Sequence, residues 1–392
     1  MYPETFALEA RLRQEKIQSA LRDTGYDALL LADNANLYYT AGRVFCGYSY
    51  IPVAGDILYF VRRPAGLQGN NVIYIRKPEQ IAEELQSRGF PQPQTLMLEG
   101  DSLSFVEYNR LAASFPGVVV SEKGTALIRA VRAVKTPYEI SLLRHSATIH
   151  DAMYRHIPHL YTEGMTDIEF SIELERSARQ HGSLGIFRIF GRSMEIYMGN
   201  VLSGENADNP SPYDFAMGGA GIDSSLPVGS NGSPIRPGQT VMVDMNGNFT
   251  GYMSDLSRVF SIGKISELAR QAHHTSIRIQ EAIENIARPG TAAADLYNIA
   301  VKITQDEGLE QYFMGHRQKA GFIGHGVGIE VNELPVLAPR SRDILQEGMT
   351  IALEPKFVIP GVGAVGIENT FVVTANGLEK LTTCPEEILP LD

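Results

Sequence analysis

Thr240-Val-Met-Val-Asp244 is an apolar run that stops on an acid, and Gly251-Tyr-Met-Ser-Asp255 carries a second acid shortly after it. Between them, Asn246-Gly247 is a hairpin turn signal. A hairpin centred on Gly247 sets Asp244 against residue 250 and leaves Asp255 beyond it. The two acids converge only if the return strand bends or the loop is longer, and Gly251 is the candidate bend. The pattern recurs in Met349-Thr-Ile-Ala-Leu-Glu354, the turn Pro360-Gly361, and a return run 364–373 that carries Glu368. Here the midpoint of the two glutamates is the turn glycine, Gly361. Plain antiparallel pairing therefore places Glu354 beside Glu368.

Each of these strand pairs follows two helical patterns. Pro137 suits a first helical turn with Thr136 as its N-cap, and that helix should run to about residue 157. Thr166 and Glu169 form a capping box for a helix to about Gln180. A β-rich stretch from about 184 to 262 follows. The order then repeats: a helix over 265–286 ending at Pro289-Gly290, a shorter one capped by Thr291 and ending near Gly308, and a β-rich stretch from 321 to about 378. Residues 135–392 thus read as two copies of helix–helix–sheet without clear sequence identity, able to pack around a cleft between the sheets. The first 130 residues alternate strand and helix patterns, with Asp33-Asn34 as a turn after the strand 28–32. They suggest an α/β domain and contain no glycine-rich phosphate loop. The boundary falls near residue 130, before Lys135-Thr-Pro137.

Composition narrows the function classes. A chain of 392 residues suggests about two domains, and 44% hydrophobic with 20% charged residues excludes a disordered chain. A formal net charge of −11 disfavours nucleic acid or an anionic membrane as partner. Cys46 and Cys384 cannot make a disulfide framework. The N-terminus lacks a basic region followed by an apolar stretch, and no apolar run is long enough to span a bilayer. A cytoplasmic location is the expectation.

Two acids side by side repel each other, and burying them unpaired is costly. Few cations lie near them in the sequence. What the chain offers is Gly324-His-Gly-Val-Gly328, where glycines let the backbone crowd a site and His325 can complete a carboxylate-rich shell. Asp244, Asp255, Glu354 and Glu368 with His325 balance two divalent ions. Hard oxygen ligands with one nitrogen favour Mn, Co or Fe over a thiolate-type zinc site. Two such ions about 3.5–4 Å apart can share a hydroxide and polarise a carbonyl. Any one of these acids alone reads as a solvated turn residue; the conjunction carries the metal reading. His316 reads as a loop histidine, His145, His150, His156 and His159 as surface or capping groups, and His273-His274 as solvent-facing.

These residues resemble the pita-bread metallopeptidases: Xaa-Pro dipeptidases, aminopeptidase P, methionine aminopeptidase and the related creatinase. Asp27–Leu31 with Asn36-Leu-Tyr-Tyr-Thr-Ala-Gly42 looks like the creatinase-type N-terminal domain. Arg132-Ala-Val-Lys135 to Ile140 resembles the start of the catalytic domain. The segments 238–258, 324–335, 353–355 and 366–370 are similar to the family's remaining signatures. The resemblance implies an α+β pita-bread catalytic domain over 131–392 behind a smaller α/β domain over 1–130, and a homodimer. It implies Asp244, Asp255, His325, Glu354 and Glu368 as ligands of two divalent ions (Mn, Co, Fe or Zn, Mn favoured). Glu354 is also implied as proton shuttle.

Three positions depart from the family. Ser211 and Asn332 stand where peptidases of this kind usually carry histidines that bind substrate and steady the tetrahedral intermediate. Gly366 stands where many prolidases carry an arginine that holds the substrate carboxylate. Ser211, Asn332 and Tyr252 are the candidate replacement donors. The leading expectation is a metal-dependent hydrolase of short peptides with proline second. The alternatives are a diverged member acting on a small non-peptide substrate, as a creatinase-like C–N hydrolase or a lyase, and a non-catalytic binding module, which the intact ligand set disfavours.

Overall fold

The computed structural model describes residues 4–191, 195–215 and 217–391. The first three residues of the stretch read for a signal, residues 192–194 and 216 of the expected β-rich stretch, and residue 392 lie outside it. The chain divides into two compact units, Met1–Arg132 and Ala133–Asp392.

The first unit contains α1 (Glu4–Thr24), β1 (Ala28–Leu31), α2 (Asn34–Ala41), β2 (Cys46–Pro52), β3 (Leu58–Arg63), β4 (Val72–Tyr74), α3 (Gln80–Ser87), β5 (Thr95–Leu98), α4 (Phe105–Ala113), β6 (Val119–Ser121) and α5 (Gly124–Ala133). Its six strands form one sheet in the order β4-β3-β2-β1-β5-β6. β1 pairs antiparallel with β2 and parallel with β5. The fully buried β1 reads as a continuous apolar run because both its faces are covered. Asp33-Asn34 is not a simple turn. Asp33 Oδ1 accepts from Ala35 N at 2.8 Å and N-caps α2, because turn and cap use the same side-chain chemistry. β2 was not visible in the sequence: Cys46-Gly-Tyr-Ser-Tyr lacks a clean alternation.

The second unit repeats its element order. Helices α6 (Pro137–His156) and α7 (Asp167–Gln180) precede β7 (Gly199–Ser203), β8 (Thr240–Asn248) and β9 (Met253–Ser261). Helices α8 (Glu267–Ile286) and α9 (Ala293–Asp306) precede β10 (Gly324–Gly326), β11 (Glu333–Val336), β12 (Thr350–Leu353), β13 (Lys356–Ile359), β14 (Gly363–Gly366), β15 (Asn369–Thr374) and β16 (Gly377–Lys380), with β17 (Leu389–Pro390) last. Both expected caps at Thr136 and Thr166 are complete capping boxes. Thr291 does not cap α9. Ala292 holds the cap position without a side-chain bond, while Thr291 Oγ1 accepts from Arg288 N in the preceding turn.

Two sheets carry this unit, β17-β9-β8-β7 and β11-β10-β12-β15-β16, with β13-β14 as a separate ribbon. Buried Met242 and Val259 from one sheet and Ile351, Leu353 and Phe371 from the other share a core with Ile279 and Ile283 of α8. Fully burying such a side chain contributes about 1.5–3 kcal/mol. An isolated bridge between Ser257 and Glu368 joins the two sheets where the acids lie.

Candidate metal centre

The first hairpin turns later than the Asn246-Gly247 signal suggested. Its ladder runs to Asn248 opposite Met253, so residues 249–252 make the turn. Asn246 and Gly247 are strand residues because Asn246 Nδ2 donates to Met198 O at 2.7 Å and Gly247 packs under His150. Gly251, with φ of 88°, supplies the left-handed turn residue. Asp255 therefore lies opposite Asn246, and Asp244 opposite Ser257. The two aspartates are diagonal neighbours on one face, within reach of a shared cation.

The second strand pair keeps one register throughout. Leu353 faces Asn369 on one side of the acids, and Lys356 faces Gly366 on the other. Glu354 and Glu368 sit opposite each other in the gap between the two ladders. Pro355 has no N–H and interrupts the pairing, while Glu354 N extends the β10–β12 register by donating to Ile323 O at 2.8 Å. His325 lies on β10 between β11 and β12. A Cβ on Gly324 would collide with Ala352 O, and one on Gly326 with Leu334 O, so this histidine needs its flanking glycines.

The five side chains meet. His325 Nε2 lies 3.2 Å from Glu354 Oε1 and 4.0 Å from Asp255 Oδ2. Its Nδ1 lies 3.1 Å from Gly326 O. That carbonyl requires the proton on Nδ1 and leaves Nε2 facing the acids, the arrangement a metal-binding imidazole uses. One ligand atom from each of Asp255, His325 and Glu368 falls within a 4.8 Å cluster, and so does one from each of Asp244, Glu354 and Glu368. Thr370 Oγ1 accepts from Asp255 N at 2.8 Å and donates to Asp255 O at 2.9 Å. Ser257 Oγ donates to Glu368 Oε2 at 2.7 Å.

A sixth group enters this cluster that the sequence reading overlooked. Lys356 Nζ lies 2.7 Å from Asp244 Oδ2, 2.8 Å from Glu354 Oε2 and 3.0 Å from Glu368 Oε2, and its side chain is 0% exposed. The signal was available. Residues 354 and 356 alternate to the same side of an extended chain, and a lysine opening the apolar run Lys356-Phe-Val-Ile needs a buried partner.

The charges order the titrations. Burial, then the charges of Glu368, Asp244 and Glu354, holds the Asp255 pKa well above the ordinary carboxylate value. Burial also raises Asp244 against the pull of Lys356. Burial pushes Glu354 the same way, but Lys356 and then His325 outweigh it and leave Glu354 a stronger acid than usual. Burial opposes the imidazolium of His325, yet the Glu354 hydrogen bond and charge lift its pKa to about 9.

A cleft enclosing about 560 Å³, open mouth included, stands over these groups, with Phe187, Phe215 and Phe322 among its walls. Asn332 lines it, but its amide is engaged with one backbone unit: Oδ1 accepts from Phe190 N at 2.7 Å and Nδ2 donates to Phe190 O at 2.8 Å. Ser211 does not line it. Its Oγ donates to Pro227 O at 3.0 Å beside a neighbouring hollow that also holds His316. His316 itself bonds Asp208 at 2.9 Å. Tyr252 donates to Glu139 Oε1 at 2.8 Å. Two histidines read as surface groups are buried instead. His150 Nδ1 pairs with Ser254 Oγ at 3.0 Å, and His273 bridges Glu386 O and Gly366 N. Helical spacing gave no sign of this because the strands that cover them are distant in the chain.

The sequence pattern of metallopeptidase family M24 matches residues 141–375. The chain belongs to metallopeptidase family M24. The pattern of the creatinase/prolidase N-terminal domain matches residues 13–134 of this M24 chain. A relative, the Xaa-Pro dipeptidase of Pyrococcus furiosus, is 28% identical over 385 residues, 96% of this chain and 99% of that protein. Among solved structures, the Xaa-Pro dipeptidase from Bacillus anthracis superposes with a TM-score of 0.79 at 24% identity, covering 97% of this chain and 99% of that one. The X-Pro aminopeptidase from Thermotoga maritima MSB8 gives 0.77 at 21% identity, covering 95% and 99%. The fold is thus the pita-bread fold behind a creatinase-type domain, and the chain is an enzyme, a peptidase by family.

The family implies divalent metal, and this donor set fits it in part. Among the described residues Glu368 Oε1 is buried without a hydrogen-bond partner, a lack that a cation at Asp255, His325 and Glu368 would satisfy. The cluster of Asp244, Glu354 and Glu368 already surrounds an ammonium.

Proposed function

We propose that this chain hydrolyses the peptide bond before proline in short Xaa-Pro substrates, at a metal centre built from Asp244, Asp255, His325, Glu354 and Glu368, with Glu354 as proton carrier. The observation that carries this reading is the convergence of those five side chains on the floor of an aromatic-walled cleft. A bound divalent cation would supply Lewis-acid polarisation of the scissile carbonyl and a more acidic water. Manganese is the first candidate, because the donors are hard oxygens with one imidazole.

The protein's own groups supply the rest. Glu354 is kept ionised by Lys356 and His325, so it can take a proton from the attacking water and return it to the leaving nitrogen. Phe187, Phe215 and Phe322 offer apolar faces for a proline ring and keep bulk water from the floor. Among the described residues no helix is long and apolar enough to cross a membrane. A cytoplasmic homodimer is the assembly we carry with this reading.

One observation favours a second reading. With Asn332 tied to Phe190 and Ser211 turned to another hollow, neither usual histidine position presents an imidazole over the acids, and losing one oxyanion donor is worth about 10²–10³ in rate. A small non-peptide amide would demand less of that stabilisation. Assays of Xaa-Pro dipeptides and Xaa-Pro-Xaa tripeptides with added Mn²⁺ decide between them. Turnover of either series, abolished in Glu354→Gln, is the expected result. No turnover by protein carrying bound Mn²⁺ would favour the second.

A further inference from the structure

We propose that Lys356 is a built-in cation of this centre: its ammonium takes the position among Asp244, Glu354 and Glu368, and the chain holds one divalent ion, at Asp255, His325 and Glu368. The inference rests on the proposed use of these residues as a metal centre.

The coordination is complete on the lysine side. An ammonium has three donors and no more, and three carboxylate oxygens lie 2.7, 2.8 and 3.0 Å from Nζ. Three ligand atoms of that one cluster are the same three residues. The side chain has nowhere else to go. It is fully buried, and its backbone is pinned on both sides, by Met314 N donating to Lys356 O at 2.8 Å and by the ladder to Gly366. Withdrawing the ammonium from its carboxylates would strand a charge in the core.

The other cluster is different. Lys356 does not reach Asp255 or His325 among its ion pairs. Glu368 gives Oε2 to Lys356 and Ser257 but keeps Oε1 buried and, among the described residues, unpartnered. A buried carboxylate oxygen with no hydrogen-bond partner among the described residues, on a side chain clustered with His325 and Asp255, makes a donor set for a cation, which would replace the proton that His325 Nε2 shares with Glu354 Oε1 and leave Lys356 undisturbed. The charge count agrees. Four carboxylates with one ammonium sum to −3, which one divalent ion brings to −1. A second ion would make the buried cluster positive and would sit against the ammonium.

The test is the metal content of the full-length chain, dialysed against Mn²⁺ and read by elemental analysis and electron paramagnetic resonance. Wild type should bind one Mn²⁺ per chain with the six-line spectrum of an isolated ion. Asp244→Asn should still bind one, and His325→Ala none. Lys356→Met should raise the count to two, with the exchange-coupled spectrum of an adjacent pair. Two ions with a coupled spectrum in wild type would overturn the inference, as would no bound ion or loss of the ion in Asp244→Asn. If Lys356→Met does not fold, the other three proteins decide. None of these counts depends on hydrolysis, so failure to cleave Xaa-Pro substrates would refute the peptidase reading and leave this one standing.

Discussion

Arg258 does for the backbone what Lys356 does for the carboxylates. Its guanidinium is fully buried and spends all five donors: Nη1 on Ser257 O and Glu368 O, Nη2 on Asn369 Oδ1 and Cys384 O, and Nε on Pro385 O, all at 2.7–2.9 Å. It thereby ties Glu368 to the strand that carries Asp255. Arg258→Lys keeps the charge but has only three donors, so at least two buried acceptors lose partners. The expected cost is about 2–5 kcal/mol, read as a lowered Tm. An unchanged Tm would show that this hub is dispensable. Gly366 makes the opposite point about a missing side chain. Its φ is 129°, and a Cβ there would lie 2.6 Å from Pro355 O and 2.9 Å from Lys356 Cα. Gly366→Arg should therefore not restore a grip on a dipeptide carboxylate. It should destabilise the fold by more than about 2 kcal/mol, seen in thermal melts. A stable variant with lower KM for dipeptides would contradict this.

At the scale of elements, two hairpins solve the same problem differently. The first makes its acids diagonal neighbours by a four-residue turn, and the second makes them opposite by breaking its ladder at Pro355. The helices that back these sheets are held by their caps. Thr136 caps α6, and the partner Glu139 also accepts from Tyr252 in the first hairpin's turn. Thr136→Ala should cost about 1 kcal/mol, measured by denaturant unfolding. The caps at Thr136 and Thr166 and the second register were legible because they depend on neighbours within a few positions of each other, whereas the cap read at Thr291 falls one residue later, at Ala292. The first turn was misread because Asn246-Gly247 is a local signal, and a distant contact, Asn246 with Met198, overrides it.

Over the whole molecule, acid sensitivity follows from two buried histidines outside the metal centre. Burial, helped by Arg258, lowers the His150 pKa to about 3. Burial, outweighing a hydrogen bond to Glu386, lowers that of His273 to about 4. Both are neutral in the folded state and take up protons on unfolding near pH 6.5. Their contribution is therefore full above pH 6.5 and declines as pH falls toward the folded values. Between pH 6.5 and 4.5 His150 alone withdraws about 2 kcal/mol. Tm should drop over that range, and His150→Gln should show a shallower drop; parallel curves would refute the assignment.

Several things were determined by the sequence alone: the alternation of helix pairs with strand pairs, the Glu354–Glu368 register, the glycine-flanked His325 and the set of five candidate ligands. Each follows from local periodicity, turn chemistry or spacing. Tertiary structure alone decided that Lys356 also reaches Asp244 and Glu368, that Asn332 is tied to Phe190 and Ser211 lies at another hollow, and that His150 and His273 are interior. Those outcomes depend on which remote strands cover a side chain and which donors exclude water from it. Burial and charge act through space, and no short stretch of the chain encodes them.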